Sequence, residues 1–128
     1  MDIAKIVFIE PQAENLHIYS RFKLPRLGNI LLATIARNNG YEVEVLFVNE
    51  WEVYKEPIEC DVIAISTITT TAASAYRIGD YFRNKNIPVI IGGPHVSFLP
   101  EEALEHADYC IIGDANEILN GLLKYYKV

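Results

Sequence analysis

The stretch Asp61-Val62-Ile63-Ala64-Ile65-Ser66-Thr67-Ile68-Thr69-Thr70-Thr71 decides the fold. Val62 to Ile65 is a short, uninterrupted apolar run, the pattern of a strand buried on both faces of a parallel sheet. It stops in a cluster of hydroxyls. Directly afterwards Ala72, Ala75, Tyr76, Gly79 and Phe82 recur at helical spacing, and Pro88-Val89-Ile90-Ile91 then returns as a second buried strand. Strand, helix and strand in that order predict a parallel pair joined by a right-handed crossover.

The same alternation extends in both directions. Upstream, Ala4-Lys5-Ile6-Val7-Phe8-Ile9 is another apolar run, ended by Glu10-Pro11, while Glu42 to Val48 alternates before turning apolar, as a strand near a sheet edge does. Between them Leu27, Ile30, Leu31, Thr34 and Ile35 follow the i, i+3, i+4, i+7, i+8 rule, and Asn39-Gly40 supplies the stop. Downstream, Pro100-Glu101-Glu102-Ala103-Leu104 opens a short helix with proline in its first turn and acids against the macrodipole. Tyr109-Cys110-Ile111-Ile112 reads as a fifth strand ended by Gly113-Asp114, and Asn116 caps a last helix bearing Ile118, Leu119, Leu122, Leu123 and Tyr126 on one face. Five strands and four helices predict an α/β fold: a doubly wound five-stranded parallel sheet of order 2-1-3-4-5, forming one domain over residues 1–128. Residues 12–26 carry no periodicity and read as a long, functional loop.

Composition narrows the function. At 51% hydrophobic and 22% charged residues the chain is not a disordered one. Eleven Lys and Arg against seventeen Asp and Glu leave a net charge of −6, which argues against a nucleic-acid partner. No apolar run reaches the roughly 18 residues of a membrane span, and the N-terminus reads as strand, not signal peptide, so a cytoplasmic protein without a membrane partner is expected. Cys60 and Cys110 stand apart from each other and from any metal-ligand spacing, which predicts buried, small apolar residues and no iron–sulfur cluster or metal site.

In such folds ligands bind at the carboxyl ends of the strands, near the reversal of strand order. Familiar sites of this architecture are missing there. The third strand ends in Ser66 where a phosphoryl-accepting receiver would have Asp; Pro11-Gln12-Ala13-Glu14-Asn15 is no phosphate loop; and no glycine-rich nucleotide motif occurs. The three histidines, His17, His95 and His106, sit on separate segments without a nucleophile elbow. What remains is Ser66-Thr67-Ile68 after the third strand and Gly92-Gly93 after the fourth, predicted to lie side by side. Hydroxyls there can hydrogen-bond a ligand tail, and glycines let a bulky group approach the backbone. A purely structural role, capping the next helix and making a tight turn, is equally open to them.

Taken together, Leu24-Pro25-Arg26-Leu27-Gly28, Gly40-Tyr41-Glu42-Val43, Asp61 to Ser66, and Ile91-Gly92-Gly93-Pro94-His95-Val96-Ser97 followed by Leu99-Pro100-Glu101-Glu102 give the chain a family likeness. It resembles the cobalamin-binding domain at the N-terminus of cobalamin-dependent radical S-adenosylmethionine enzymes, and the resemblance covers nearly the whole chain. The glycine-glycine-proline-histidine and proline-glutamate-glutamate pair is its most specific part. The resemblance implies a flavodoxin-like, Rossmann-like scaffold and a cobalamin site drawn from Pro25, Leu27, Gly28, Ser66, Thr67, Ile68, Gly92, Gly93, Pro94, His95 and Gly113. On that reading Gly93→Leu is expected to block the cofactor tail while leaving the fold largely intact.

Two departures refine this. Cobalamin domains of methyltransferases and mutases carry D-x-H-x-x-G before the first helix, with the His as lower cobalt ligand. Aligning Gly28 on that glycine puts Pro25 at the His position and Lys23 at the Asp position. Proline cannot ligate cobalt, so the expected cofactor is base-off without a protein histidine. After the fifth strand the family usually reads glycine-glutamate-glycine-glutamate, where this chain has Gly113-Asp114-Ala115-Asn116-Glu117. His95 has two roles open, a donor to the corrin periphery or a turn-fixing residue, and the second is preferred; His17 and His106 read as solvated and structural. Phe98, Phe22 and Tyr19 read either as corrin contacts or as lids over the core. The C-x-x-x-C-x-x-C cluster motif of the radical enzymes is missing from this sequence, so no catalytic site is complete in it. The implied partner is a radical S-adenosylmethionine domain or protein that transfers methyl groups. The chain then reads as an excised domain of a longer enzyme, as a stand-alone cobalamin carrier or as a relic without cofactor, and the alternative from another class is a small-molecule sensor or protein-interaction module.

Overall fold

The computed structural model describes residues 4–12 and 27–112, with residues 27–31 described by their backbone alone. The order is β1 (Lys5–Pro11), α1 (Leu27–Asn38), β2 (Glu42–Val48), α2 (Glu50–Val53), β3 (Val62–Ser66), a 3-10 turn (Thr69–Thr71), α3 (Ala72–Arg83), β4 (Val89–Gly92), α4 (Pro94–Phe98), α5 (Pro100–Ala103) and β5 (Tyr109–Ile111). All four strand pairings are parallel and the sheet order is β2-β1-β3-β4-β5, as the alternating periodicities predict.

Alternation along each strand divides the core in two. Val7, Ile9, Ile63, Ile65, Val89 and Ile91 face α3, where Ala75, Ile78 and Phe82 are fully or almost fully buried together with Val53 of α2, Val96 of α4 and Ala103 of α5. Ile6, Phe8, Val62, Ala64, Ile90 and Ile111 face the other way, against Ala33 and Ala36 of α1. Burying both faces explains why, after Lys5 at the start of β1, the strands β1, β3 and β4 lack polar residues until their carboxyl ends.

Two aspartates fix the opposite edge. Asp61, just before β3, accepts the amide N–H groups of Ala4 (2.9 Å) and Lys5 (2.8 Å) through Oδ2. Asp108, just before β5, accepts Val89 N–H at 2.8 Å, and its own N–H donates to Val89 O at 2.9 Å. Each carboxylate thus satisfies an amide at the start of the neighbouring strand and sets its register.

The structure departs from the sequence reading in detail. Among the residues of α1 whose side chains are described, Ala33 and Ala36 are buried, Leu32 packs against that core, Ile35 is half-buried and Thr34 is exposed, which corrects the placement of Thr34 on the buried face. Small residues let this helix lie close to the sheet, and a rule that counts only large apolar side chains leaves them out. Helices α2 and α4 lie in stretches that carry no four-turn periodicity: α2 is a single turn after Asn49, and α4 starts on Pro94 immediately after β4. The cysteines are half-buried at the margins of the core, not interior residues, and burial pushes the Cys60 thiol up to about 11. The last helix and the loop of residues 13–26 lie outside the described residues.

α2 is fastened to α3 by a carboxylate–guanidinium pair. Arg77 Nε lies 2.9 Å from both Glu50 carboxylate oxygens, Nη2 lies 2.6 Å from Oε1, and Tyr54 donates its hydroxyl to Oε2 at 2.8 Å. The Arg77 hydrogen bond holds the Glu50 carboxyl below its ordinary value. A depressed carboxylate contributes stability above its unfolded-state pKa and loses it as pH falls through the folded value. Glu50→Gln is therefore expected to lower the melting temperature at neutral pH, and the gap to wild type should close as thermal scans descend through the acid range below pH 4.5.

Candidate functional site

All five strands run the same way, so the loops after β1, β3, β4 and β5 leave from one edge. The β3 and β4 loops leave it in contact. Ser66 pairs with Gly92 in register, and Thr67 N–H donates to Gly92 O at 3.0 Å. Gly93 then turns with φ +115°, and a Cβ at this position would strike the Thr67 carbonyl oxygen and stand 3.0 Å from its nitrogen. Only a residue without a side chain closes this junction.

The hydroxyl cluster divides its work. Thr67 is fully buried, its Oγ1 donating to Ile68 O (3.0 Å) and sharing a 2.8 Å hydrogen bond with Thr71 Oγ1; Thr71 Oγ1 also receives Ile68 N–H at 3.3 Å. These two hydroxyls shape the loop. Thr69 is exposed at the start of the 3-10 turn. Its Oγ1 meets Nδ1 of His95, 3.2 Å away, while the other ring nitrogen, Nε2, lies 3.0 Å from Glu102 Oε2. Tyr76 donates its hydroxyl to the same carboxylate oxygen at 2.7 Å. Tyr76, and secondarily His95, hold the Glu102 carboxyl below its ordinary value, while burial pushes the Tyr76 phenol up. The Tyr76 ring stacks on His106 at 4.6 Å, and His106 Nδ1 lies 3.0 Å from both carboxylate oxygens of Asp80.

Alternation puts Ala64, Ser66 and Gly92 on the α1 face of the sheet, a row of small side chains at its carboxyl end. At Gly92 an added Cβ would make ordinary van der Waals contact with Ile111, 3.6 Å from its Cβ and 3.7 Å from its carbonyl oxygen, so a small side chain is accommodated there without a clash. Glu10, the penultimate residue of β1 and 3% exposed, lies on the same face. Two cavities lie elsewhere: one of about 700 Å³ at the opposite edge, lined by Asp80, Arg83 and Asp108 among others, and one of about 550 Å³ beside β2 and α2.

Of the residues singled out in the sequence, Ser66, Thr67, Ile68, Gly92, Gly93, Pro94 and His95 come together at this edge. Leu27 and Gly28 open α1, described by backbone alone. Pro25, Gly113, His17, Tyr19, Phe22 and Lys23 lie outside the described residues. Phe98 is 84% exposed on α4, so it is not a lid over the core. Thr69 and Glu102 were not singled out. The hydroxyl cluster was the signal for Thr69 and the proline-glutamate-glutamate motif that for Glu102, and only the bend between α4 and α5 returns the motif's second acid to His95.

The family described as "B12 binding domain" matches residues 17–123, and the chain belongs to that family. It is a cobalamin-binding domain related to methyltransferases. It is 43% identical over 63 residues to the bacteriochlorophyllide d C-8(2)-methyltransferase of Chlorobaculum tepidum, covering 49% of this chain and 14% of that protein. To the bacteriochlorophyllide d C-12(1)-methyltransferase of the same organism it is 40% identical over 93 residues, covering 72% of this chain and 20% of that protein. The chain thus spans a fifth or less of these two relatives. Among solved structures, a novel cobalamin-binding protein from Desulfitobacterium hafniense superposes with a TM-score of 0.58 at 23% identity, over 92% of this chain and 58% of that one, and supports the fold. The N-terminal domain of a hypothetical Thermotoga maritima protein gives 0.55 at 28% identity, over 73% and 78%. No helix among the described residues is long and apolar enough to cross a membrane.

The two glycines should separate on substitution, and the expectation that Gly93→Leu spares the fold is corrected by the Thr67 contact. Gly93→Ala is expected to cost about 2 kcal/mol in urea unfolding, from positive φ and collision together. Gly92→Ala should cost less than about 1 kcal/mol.

Proposed function

We propose that this domain holds cobalamin with its tail base displaced and no protein imidazole on cobalt, for methyl transfer by an associated or fused radical S-adenosylmethionine enzyme. The observation that carries the histidine-free part is the double engagement of His95: both ring nitrogens are taken, by Thr69 and Glu102. His106 supports it too, stacked on Tyr76 and bound to Asp80. Pro25, at the position of the lower ligand in the D-x-H-x-x-G motif, has no imidazole to offer.

On this reading Ser66 and Gly92 receive the displaced tail, the first with a hydroxyl and the second with a backbone that carries no side chain. Gly93 and Thr67 keep their loops together above it. Leu27 and Gly28, opening α1, and Pro25 before them lie beneath the corrin, and Ile68, Pro94 and Gly113 complete its surroundings. When bound, the corrin supplies a cobalt that accepts and donates a methyl group, and the protein supplies position. The second, cluster-bearing domain of such enzymes is the partner, and a cytoplasmic setting suits that chemistry.

Incubation with hydroxocobalamin followed by desalting is expected to leave a retained, spectrally shifted corrin. Colourless protein would favour a sensor or interaction module. Gly92→Leu should abolish retention with the fold preserved by circular dichroism, because its side chain would project from the α1 face of the sheet beside Ser66, where the tail is proposed to lie. The reduced Co(II) form should show no axial nitrogen splitting in its electron paramagnetic resonance spectrum. Triplets that become doublets when histidine is labelled with nitrogen-15 would place a protein imidazole on cobalt and overturn the assignment.

A further inference from the structure

The crossover from β2 to β3 is thinly built. Parallel strands are usually joined by a full helix that covers the sheet, yet α2 is a single turn of four residues and buries only Val53. Leu46 and Val48 of β2 and Ile58 of the crossover are left half-buried on the α3 side of the core. These four residues floor the cavity of about 550 Å³ beside β2 and α2. Its rim is acidic. Glu44, Glu52, Glu56 and Glu59 stand around it against a single cation, Lys5, whose ammonium is already paired with Glu44 at 3.4 Å. Glu52 Oε1 accepts the backbone N–H and the side-chain amide of Asn49 at 3.3 and 3.2 Å, whereas Glu56 and Glu59 are exposed and belong to no ion pair among the described residues. Four carboxylates less one ammonium leave three negative charges uncompensated over an apolar floor.

We propose that this groove docks a cationic amphipathic helix of a protein partner, with aliphatic side chains on the floor and lysine or arginine side chains against the rim. Shape and charge both favour that occupant. The groove follows β2 from Glu44 to Val48, a rise of about 13 Å, which matches two to three turns of helix at ~5.4 Å per turn. An elongated apolar floor receives one face of a helix, and the surrounding carboxylates select its charged flanks. The same carboxylates repel an acidic segment and a second copy of this chain, whose net charge is −6. The assignment goes beyond the cobalamin reading and does not depend on it: the groove lies on the α3 face at the edge strand, whereas Ser66 and Gly92 lie on the α1 face.

Fluorescence anisotropy with a short labelled peptide of leucine and lysine at helical spacing tests this. A dissociation constant on the order of 10 μM is expected at low salt, weakening about tenfold between ~0.05 and ~0.5 M sodium chloride. A counterpart with alanine for leucine should bind about tenfold more weakly, since it keeps the charge but has little to lay on the floor. One with glutamate for lysine should not bind. On the protein side, Glu56→Gln combined with Glu59→Gln should weaken the leucine–lysine peptide about fivefold at an unchanged melting temperature. Glu101→Gln combined with Glu105→Gln removes the same charge from α5 and the turn after it, and should leave binding within about twofold. Equal losses in the two double variants would mean general attraction to an acidic chain and overturn the assignment. Absence of peptide binding, or equal binding of the alanine or glutamate counterpart, overturns it as well. Displacement by spermine at concentrations like the peptide's own would make the groove a site for small cations, and a dimer in sedimentation that the peptide disperses would give it to a second copy; either result overturns it. None of these outcomes touches the cobalamin reading, which corrin retention tests separately.

Discussion

The contact of Gly93 with the Thr67 backbone is the constraint on which the rest of the carboxyl edge depends. Parallel strands bring their crossover loops to one side but leave a gap between them, and a side chain of any size at Gly93 would widen it. With the loops locked, Ser66 and Gly92 become neighbours, the 3-10 turn begins beside α4, and His95 falls within reach of Thr69. Proline at the first position of α4 then fixes the exit direction, which the chain needs because the helix is only five residues long.

Two kinds of polar residue meet at that edge, and burial tells them apart. Thr67 and Thr71 are fully or nearly buried and bonded to each other, so their hydroxyls act within the scaffold. Thr69, from the same run of hydroxyls, is exposed and linked to charged chemistry through His95. The Tyr76–Glu102–His95 chain also ties α3 to α4 and α5, two helices too short to be stable alone, since a helix of four or five residues lacks the length to offset nucleation. Their position is set by side-chain hydrogen bonds and by the burial of Val96 and Ala103.

Strand order and the pairing of Ser66 with Gly92 were legible in the sequence because uninterrupted apolar runs have few other interpretations, and because a helix between two such runs fixes both direction and hand. The burial of Ala33 and Ala36 in α1 was not legible, since alanines carry little weight in a pattern of large apolar residues although they allow the closest approach. The His95 partners were not legible either. Thr69 lies 26 positions away, and Glu102, seven away, is brought back only by a bend between two helical turns. Gly93 was read as making room for a ligand, with Gly93→Leu harmless to the fold, whereas the object it makes room for is the Thr67 backbone of its own chain. The residues before α1 and after β5 belong to the proposed site by sequence argument alone.

Asp61 and Asp108 give the molecule an asymmetry with evolutionary weight. Each pins a strand start far from the binding edge, using a side chain that spends its oxygens on backbone amides of another strand. Register is thereby secured where no ligand is handled. Mutational drift in the loops of the carboxyl edge, such as the altered sequence that follows β5, can proceed without loosening the strands that carry them. A domain organised in this way can change what its loops grip over generations while inheriting the same sheet.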